Sequence, residues 1–267
     1  MTSDIDEAID WQGMDVRCDD CIHRELSARG RCSLKHACVR DRYARRIDRF
    51  FTWNPGLAND YIDHPHFEVR AIAAKFAEVF LLPPLLADPD ETVRWNAARR
   101  LPGRYLALLR NDPHREVRIR VAWLIDEADL SPMMSDPDYY VRLLAARRIA
   151  PAMLPAMMAD EEPEVRRVVA SRIQGDALRA MAVDEDAEVR LAVVRRFEPA
   201  DLTGFHRDHD WRVRYEVASR VPLGVLREMV DDPDDMVREL VFMRLEQDED
   251  AELGSNVVRL DPRFRRR

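Results

Sequence analysis

All four cysteines of this 267-residue chain lie within its first 38 residues, at Cys18, Cys21, Cys32 and Cys38. In a reducing compartment such a cluster indicates metal binding rather than disulfides. Four thiolates can complete either a structural zinc site or an iron–sulfur cubane. The gaps are two, ten and five residues long. The first gap suits both groups and the wider ones permit a larger inorganic group, so the spacing leaves both open.

Basic residues surround these cysteines. Residues 17–49 hold ten Lys and Arg against five Asp and Glu. Nearby cations would offset the net charge of about −2 that either four-thiolate group carries, so they do not distinguish zinc from iron–sulfur. His23 and His36 lie among the cysteines and could replace a ligand. Because four cysteines already satisfy the site, we interpret both histidines as surface or neighbouring groups.

Signatures of catalysis are missing from the sequence. The spacing C-x-x-x-C-x-x-C, typical of radical enzymes that use S-adenosylmethionine, does not occur, and neither do G-x-x-x-x-G-K-[ST], G-x-S-x-G or H-E-x-x-H. Eight glycines leave little for loops that cradle phosphate. We therefore expect a protein without enzymatic activity and name no catalytic residue.

Composition indicates a globular, water-soluble chain, with 46% hydrophobic and 34% charged residues. The first residues are acidic and lack the features of a signal peptide, and no apolar run approaches the length that crosses a membrane. We expect a cytoplasmic protein without a membrane partner. The whole chain has a net charge of −8. Residues 1–16, 17–49 and 259–267 carry −5, +5 and +4, so residues 50–258 carry about −12. Such a body repels nucleic acid unless its arginines are segregated on one face.

A period of 24 residues governs most of the chain. The dipeptide Val-Arg occurs eight times at this spacing, from Val69-Arg70 to Val237-Arg238, without an insertion or deletion. Aspartate recurs in phase from Asp88 to Asp232, with His64 in the first slot. Leucine keeps the same phase at Leu82, Leu106, Leu130, Leu154, Leu178, Leu202 and Leu226. The period predicts a solenoid of stacked units.

One repeat, residues 88–111, shows what each unit contains. Asp88 is predicted to cap a helix, with Glu91 completing a capping box. Val93, Ala97 and Leu101 follow at helical spacing, so one face of that helix is apolar. Too few residues remain for a second full helix, and several units carry prolines there. A short 3-10 turn fits better, because proline inside an α-helix costs about 3 kcal/mol. Stacking would then bury the apolar stripe that one unit cannot hide.

We divide the chain into a cysteine domain (residues 1–50), a solenoid of about eight repeats (51–250) and a loose tail (251–267). A helix is predicted from about Asp41 to Phe51, before an irregular entry cap at Leu57, Tyr61 and Ile62. The period by itself does not choose the hand of the superhelix.

The 24-residue period, the phased leucines and the N-terminal cysteine cluster together resemble the leucine-rich repeat variant family. The resemblance covers nearly the whole chain. It implies an all-α fold, a right-handed superhelix of alternating α and 3-10 helices, preceded by a small domain with a 4Fe–4S cluster. Cys18, Cys21, Cys32 and Cys38 would be its ligands, with zinc as the alternative group. The sequence lacks L-x-x-L-x-L, so no β-lined horseshoe is expected.

Three classes of function remain open at this stage. The leading hypothesis is a protein-interaction scaffold whose cluster serves redox sensing, electron transfer or stabilisation, with a protein partner that the sequence does not identify. The second is nucleic-acid binding along the phased arginines from Arg70 to Arg238; we prefer for these a structural role, paired with the phased aspartates. The third is an enzyme acting through the cluster, which four cysteine ligands disfavour because they leave no open iron.

Overall fold

The structure, a computed structural model, describes residues 7–257, with the backbone alone from Glu249 on. Its contacts divide into two compact units, Met1–Leu144 and Ala145–Arg267. In the described part of the chain, both units consist of α-helices alternating with 3-10 helices and turns, as the repeat predicts. The only extended pairs among these residues are two isolated bridges, Ile9 with Asp15 and Ser33 with Ala37.

The α-helices are short, apart from the last one. They are α1 (Arg24–Ala28), α2 (Ala44–Trp53), α3 (Phe67–Ala73), α4 (Glu91–Ala98), α5 (Arg115–Leu124), α6 (Tyr139–Arg148), α7 (Pro163–Arg172), α8 (Asp176–Ala180), α9 (Ala187–Val194), α10 (Trp211–Arg220), α11 (Leu223–Leu226) and α12 (Asp235–Val257). The 3-10 helices are Pro55–Tyr61, Val79–Leu81, Pro83–Ala87, Gly103–Leu109, Glu127–Asp129, Ser131–Ser135, Pro151–Met157, Met181–Val183, Pro199–Phe205 and Arg227–Met229.

Prolines favour the 3-10 form in the second segment of several repeats. Where a proline lies within the segment, as in Pro83–Ala87 and Pro151–Met157, the turn is 3-10 throughout. Two repeats depart from this pattern, because α8 and α11 make one α-turn before their 3-10 residues. Neither of these helices contains a proline, so nothing there prevents the i to i−4 hydrogen bond.

The helix caps correct one prediction. The residue that caps α4 is Asp90, whose side chain accepts from the amides of Thr92 and Val93 at 2.9 and 3.3 Å, and not Asp88. Glu91 is consequently the first helical residue, so no capping box forms. Asp88 instead accepts the Asp90 amide at 2.9 Å and pairs with Arg70 of the preceding repeat. Its carboxylate is therefore not available to cap the helix.

The phased leucines form the core, as predicted. Leu82, Leu130, Leu154, Leu202 and Leu226 are completely buried, and Leu106 and Leu178 nearly so. A further position of the repeat holds alanine, or valine in one repeat, and is also buried, with 0% exposure at Ala74, Ala98, Ala122, Ala146, Ala170, Val194 and Ala218. In the last repeat the same slot holds Phe242, which is 52% exposed.

The Val-Arg arginines bind aspartates, which confirms the structural interpretation of this ladder. In six of them the guanidinium reaches the phased aspartate 18 residues later through two nitrogens, and the third nitrogen donates to backbone carbonyls five and six residues earlier, whereas Arg238 of the last repeat binds Asp235. Most of these side chains are about one-tenth exposed. The pairs within the two units are Arg70–Asp88, Arg94–Asp112, Arg118–Asp136, Arg166–Asp184, Arg190–Asp208 and Arg214–Asp232.

A second arginine ladder joins the repeats, and the sequence analysis missed it. Arg100 donates to the carbonyls of Ala74, at 2.9 Å, and Ala77, near the C-terminal end of the preceding helix. Equivalent bonds are made by Arg172, Arg196, Arg220 and Arg244. The carbonyls at a helix end lack partners within the helix, so these arginines satisfy them. In the same slot α5 has Leu124, which is 55% exposed.

The helix boundaries at the two ends differ from the prediction. α2 begins at Ala44 rather than Asp41, because the Asp41 carboxylate accepts the Tyr43 amide at 3.0 Å and binds Arg46. α12 continues to Val257, into the predicted tail, where the residues after Leu245 include good helix formers and no proline. The remainder of the predicted tail, residues 258–267, lies outside the described residues. In the described part, no helix combines the length and apolar character that crossing a membrane requires.

Candidate metal centre

A tight turn brings Cys32 and Cys38 together. Between them Ser33 and Ala37 exchange two backbone hydrogen bonds, at 2.9 and 2.8 Å, which fold the five intervening residues back on themselves. The turn requires one left-handed residue, and Lys35 takes this conformation with φ of 62°. Glycine is the usual residue at such a position, because a side chain costs energy there. The five-residue gap therefore closes one half of the site.

Cys18 and Cys21 lie on a second turn. The amide of Cys21 donates to the carbonyl of Cys18 at 3.2 Å, and the amide of Arg24 donates to that of Cys21 at 3.1 Å. This turn leads directly into α1, and the ten-residue gap is thus filled by a short helix. The chain returns from α1 at Gly30, with φ of 70°, to reach Cys32.

The four thiols lie close enough to influence one another electrostatically. The pKa of Cys32 is raised by its hydrogen bond to Cys38, by burial, and by the charges of Cys38, Cys21 and Cys18. The same hydrogen bond lowers the pKa of Cys38 to about 7, against the opposing effect of burial. Burial raises the pKa of Cys18, as do the charges of Cys38 and Cys21. The four predicted ligands therefore lie in one region of the N-terminal segment, and Cys32 and Cys38 are in hydrogen-bonding contact.

Burial divides the cysteines into two pairs. Cys32 and Cys38 are 6% and 3% exposed, whereas Cys18 and Cys21 are only partly buried. Cys32 belongs to the same hydrophobic core as Ile47 and Phe50 of α2 and Leu82 and Leu85 of the first repeats. A group held by the four sulfurs would have one edge against this core and the other near solvent.

Backbone amides support sulfur ligands at this site. The His23 amide donates to the sulfur of Cys21 at 3.4 Å. Hydrogen bonds from the backbone of Arg40 and Asp41 favour the thiolate form of Cys38. Hydrogen bonds to cysteine sulfur are one of the means by which proteins set the potential of iron–sulfur clusters. The donor set therefore fits a thiolate-bound inorganic group, which the four cysteines would hold.

The rings of the two histidines interpreted as neighbouring groups contact residues other than the cysteines. The ring of His23 hydrogen-bonds the Tyr61 hydroxyl and lies against Phe50, with 5.2 Å between ring centroids. Burial lowers the pKa of His23, so the neutral ring is favoured. His36 is exposed, and its ring contacts Arg49 with 2.7 Å between Nδ1 and Nη1.

Two of the basic residues near the cysteines make structural contacts that the sequence did not predict. Arg46 is buried, binds Asp41 at 2.9 Å and donates to the carbonyl of Glu7 at 2.7 Å. Arg31 donates to the carbonyl of Trp53 at the end of α2. These two arginines tie the cysteine segment to α2. Among the described residues, no set of three or more His, Cys, Asp and Glu side chains is gathered in the arrangement that holds a single metal ion.

Comparison with known proteins bears on both parts of the chain. Residues 8–60 match the family described as "LRV protein FeS4 cluster". A curated protein of Rhodobacter capsulatus, the "uncharacterized 27.7 kDa protein in nifB 3'region", is 48% identical over 99 residues, which are 37% of this chain and 40% of that protein. The match thus spans less than half of the length of that relative.

The repeats also have a counterpart among solved structures. A protein described as "a leucine-rich repeat variant with a novel repetitive protein structural motif" is 41% identical to this chain, with a TM-score of 0.80. The match covers 85% of this chain and 97% of that one. It confirms the predicted all-α repeat fold and the resemblance drawn from the sequence.

Proposed function

Because the chain belongs to the leucine-rich repeat variant family and its N-terminal segment is of the iron–sulfur type, we propose that Cys18, Cys21, Cys32 and Cys38 hold a 4Fe–4S cluster. We further propose that the repeats act as a non-enzymatic scaffold for a protein partner. The observation that supports this proposal is that charge on Cys18, Cys21 and Cys38 acts on Cys32, which packs in the core of the first repeats; Cys38 is buried as well, and Cys18 and Cys21 are partly buried.

The residues around the sulfurs support a cluster that exchanges electrons. When bound, the cluster would supply one-electron redox chemistry. The pair Cys18 and Cys21 is partly accessible, and Ile22 beside it is 86% exposed. An electron partner could therefore approach this edge. The backbone amides that donate to the sulfurs of Cys21 and Cys38 stabilise negative charge on these two atoms and hold them in place.

The buried pair supports a structural effect of the same cluster. Cys32 packs in one core with Phe50 and Phe51 of α2 and with Val69 and Leu82 of the first repeats. Loss of the group that fixes Cys32 and Cys38 would free the turn between them and loosen this core. A partner that binds the first repeats would then sense the state of the cluster.

Exposed apolar side chains on the repeats support a protein partner. Soluble monomers expose single apolar residues commonly, but aromatic residues are enriched where proteins bind. Trp123 and Leu124 are adjacent in sequence and each more than half exposed. Phe80, at 73%, and Leu108, at 68%, are exposed in the same unit.

The nucleic-acid alternative gains no support from the arginine ladder. Arg94, Arg118 and their equivalents each use two guanidinium nitrogens on an aspartate and the third on backbone carbonyls. Gripping a phosphate would require breaking these bonds and leaving a buried carboxylate without its partner, which is costly. Nucleic-acid binding would have to rely on other arginines.

Anaerobic purification tests the cluster. We expect a brown protein with absorbance near 400 nm and about four irons and four sulfides per chain. Replacing Cys38 by Ser should abolish the absorbance, whereas Ser33→Ala in the same turn should retain it, because that change leaves all four thiols. A colourless protein with one zinc per chain would contradict the cluster and the redox role, and would leave the fold unaffected.

Hydrogen exchange tests the link between the cluster and the repeats. Oxidative loss of the cluster should increase amide exchange in α2 and α3, which share the core with Cys32, and should leave α9 and α10 unchanged. Capture of proteins from the native source should then differ between the wild type and Cys38→Ser. Equal exchange and equal capture would refute the sensing role while leaving the cluster itself in place.

A further inference from the structure

A basic cavity lies beside the buried pair of cysteines. It has a volume of about 430 Å³ and is lined by Lys35, His36, Tyr43, Arg45, Arg46 and Arg49. The first two residues belong to the turn between Cys32 and Cys38, and the other four to the beginning of α2 and the residue before it. Cavities of this size commonly bind small molecules.

The positive charge of the cavity is not balanced by carboxylates in its lining. No acidic side chain lines it. Arg46 is paired with Asp41 at 2.9 Å, but Arg49 is bound to the ring and carbonyl of His36 rather than to a carboxylate. In the described part of the chain, Lys35 and Arg45 have no carboxylate within ion-pair distance. Three cations therefore surround one cavity, where like charges repel and a bound anion would be favoured.

One of these cations, Arg49, is held in place before any ligand binds. The guanidinium of Arg49 is fixed by the ring and the carbonyl of His36, at 2.7 and 3.0 Å. Lys35 is at the tip of the turn in the left-handed conformation, with φ of 62°. Donors that are already ordered lose less entropy when a ligand binds. The arginines of the repeat ladders differ, since their nitrogens are already used within the protein.

We propose that this cavity is a binding site for a phosphate group, either free or carried by a small molecule. A phosphate has about two negative charges and several acceptor oxygens, which match one ammonium and two guanidinium groups. The site would lie next to Cys38 and would function whether the group on the cysteines is iron–sulfur or zinc, so it does not depend on the function proposed above.

Calorimetric titration of the full-length, metal-loaded protein with sodium phosphate tests the site. Arg45→Gln and Lys35→Gly should each weaken phosphate binding by about tenfold, the usual effect of losing a charge-assisted bond. Lys35→Gly should not impair folding, because glycine accepts the left-handed backbone at this position. Arg99→Gln is the matched control, since Arg99 is an exposed arginine at the end of α4, and it should leave the affinity unchanged.

A second titration identifies the source of the phosphate. If adenosine monophosphate binds at least ten times more tightly than orthophosphate, the ligand is a phosphorylated small molecule; equal affinities indicate free phosphate. Absence of phosphate binding, or equal binding by the wild type and Arg45→Gln, would overturn the proposal. Binding of succinate in preference to phosphate would also overturn it, because it would show a carboxylate site.

Discussion

The pair Arg214–Asp232 offers a quantitative test of how the repeats are joined. Its two hydrogen bonds are 2.7 and 2.9 Å long, and the two side chains are 9% and 4% exposed. Arg214 also donates to the carbonyl of Asp208 at 2.8 Å. Replacing Arg214 by Met keeps much of the apolar stem but removes every one of these bonds. Asp232 would then retain only the amide of Asp234, at 2.9 Å.

We expect Arg214→Met to lower the free energy of unfolding by about 3–5 kcal/mol, the cost of leaving one buried charge without its partner. Adding Asp232→Asn should recover part of this loss, because an amide is cheaper to bury than an unpaired carboxylate. Arg207 provides the control: it is 81% exposed and lies 3.7 Å from Glu228, so Arg207→Met should cost less than about 1 kcal/mol. Urea denaturation followed by circular dichroism measures all four proteins.

The same pair predicts how the effect depends on pH. Burial opposes ionisation of Asp232, but hydrogen bonds from Arg214 and from the Asp234 amide outweigh it, so the pKa of Asp232 is lowered. A carboxyl with a lowered pKa stabilises the folded state above its unfolded pKa of about 3.9 and loses this contribution as the pH falls through the folded value. The cost of Arg214→Met should therefore be full at pH 7 and shrink below about pH 4. A cost equal to that of Arg207→Met at pH 7 would show that the pair contributes little.

Four further substitutions probe the core, a cap and the second ladder. Leu154→Ala should cost about 2–5 kcal/mol, because Leu154 is completely buried, and an unchanged melting curve would contradict its role in the core. His114 occupies the cap position of α5 with a buried Nδ1 that has no partner, so His114→Asn should stabilise by about 1 kcal/mol in urea denaturation. Leu124→Arg should gain about 1 kcal/mol by supplying the missing arginine, whereas Arg100→Leu should lose a similar amount; if Leu124→Arg destabilises the protein, the equivalence of the two slots is wrong.

The sequence predicted the features that recur in every unit. The phased leucines, the 3-10 turns and the pairing of arginine with aspartate follow from a period that eight copies repeat. It misplaced the cap of α4 because Asp88 and Asp90 can both cap a helix. Only the distant Arg70, which takes the first carboxylate, decides between them. The second arginine ladder was visible as arginine at a 24-residue spacing, but Leu124 interrupts it.

The sequence identifies the four candidate ligands, but it does not predict their surroundings. Four cysteines in a short segment are recognisable as candidate metal ligands from their residue type. Two turns of the backbone are enough to bring the members of each pair near each other. The asymmetric burial of the two pairs depends on packing between Cys32 and residues such as Leu82, 50 positions away in the sequence. The basic cavity likewise combines Lys35 with Arg45 and Arg49, whose proximity follows from where α2 begins. Spacing does not encode such contacts.

The two ladders also explain why the period tolerates no insertion. Arg94 binds carbonyls five and six residues before it and an aspartate 18 residues after it. Arg100 binds carbonyls 23 and 26 residues before it. One added residue in a turn would therefore displace a buried carboxylate from its guanidinium and a helix end from its donor at once, and each loss costs free energy. Packing of the helices alone would allow an extra residue to form a loop on the surface. The two arginine ladders exclude it, because each requires a fixed number of residues between donor and acceptor.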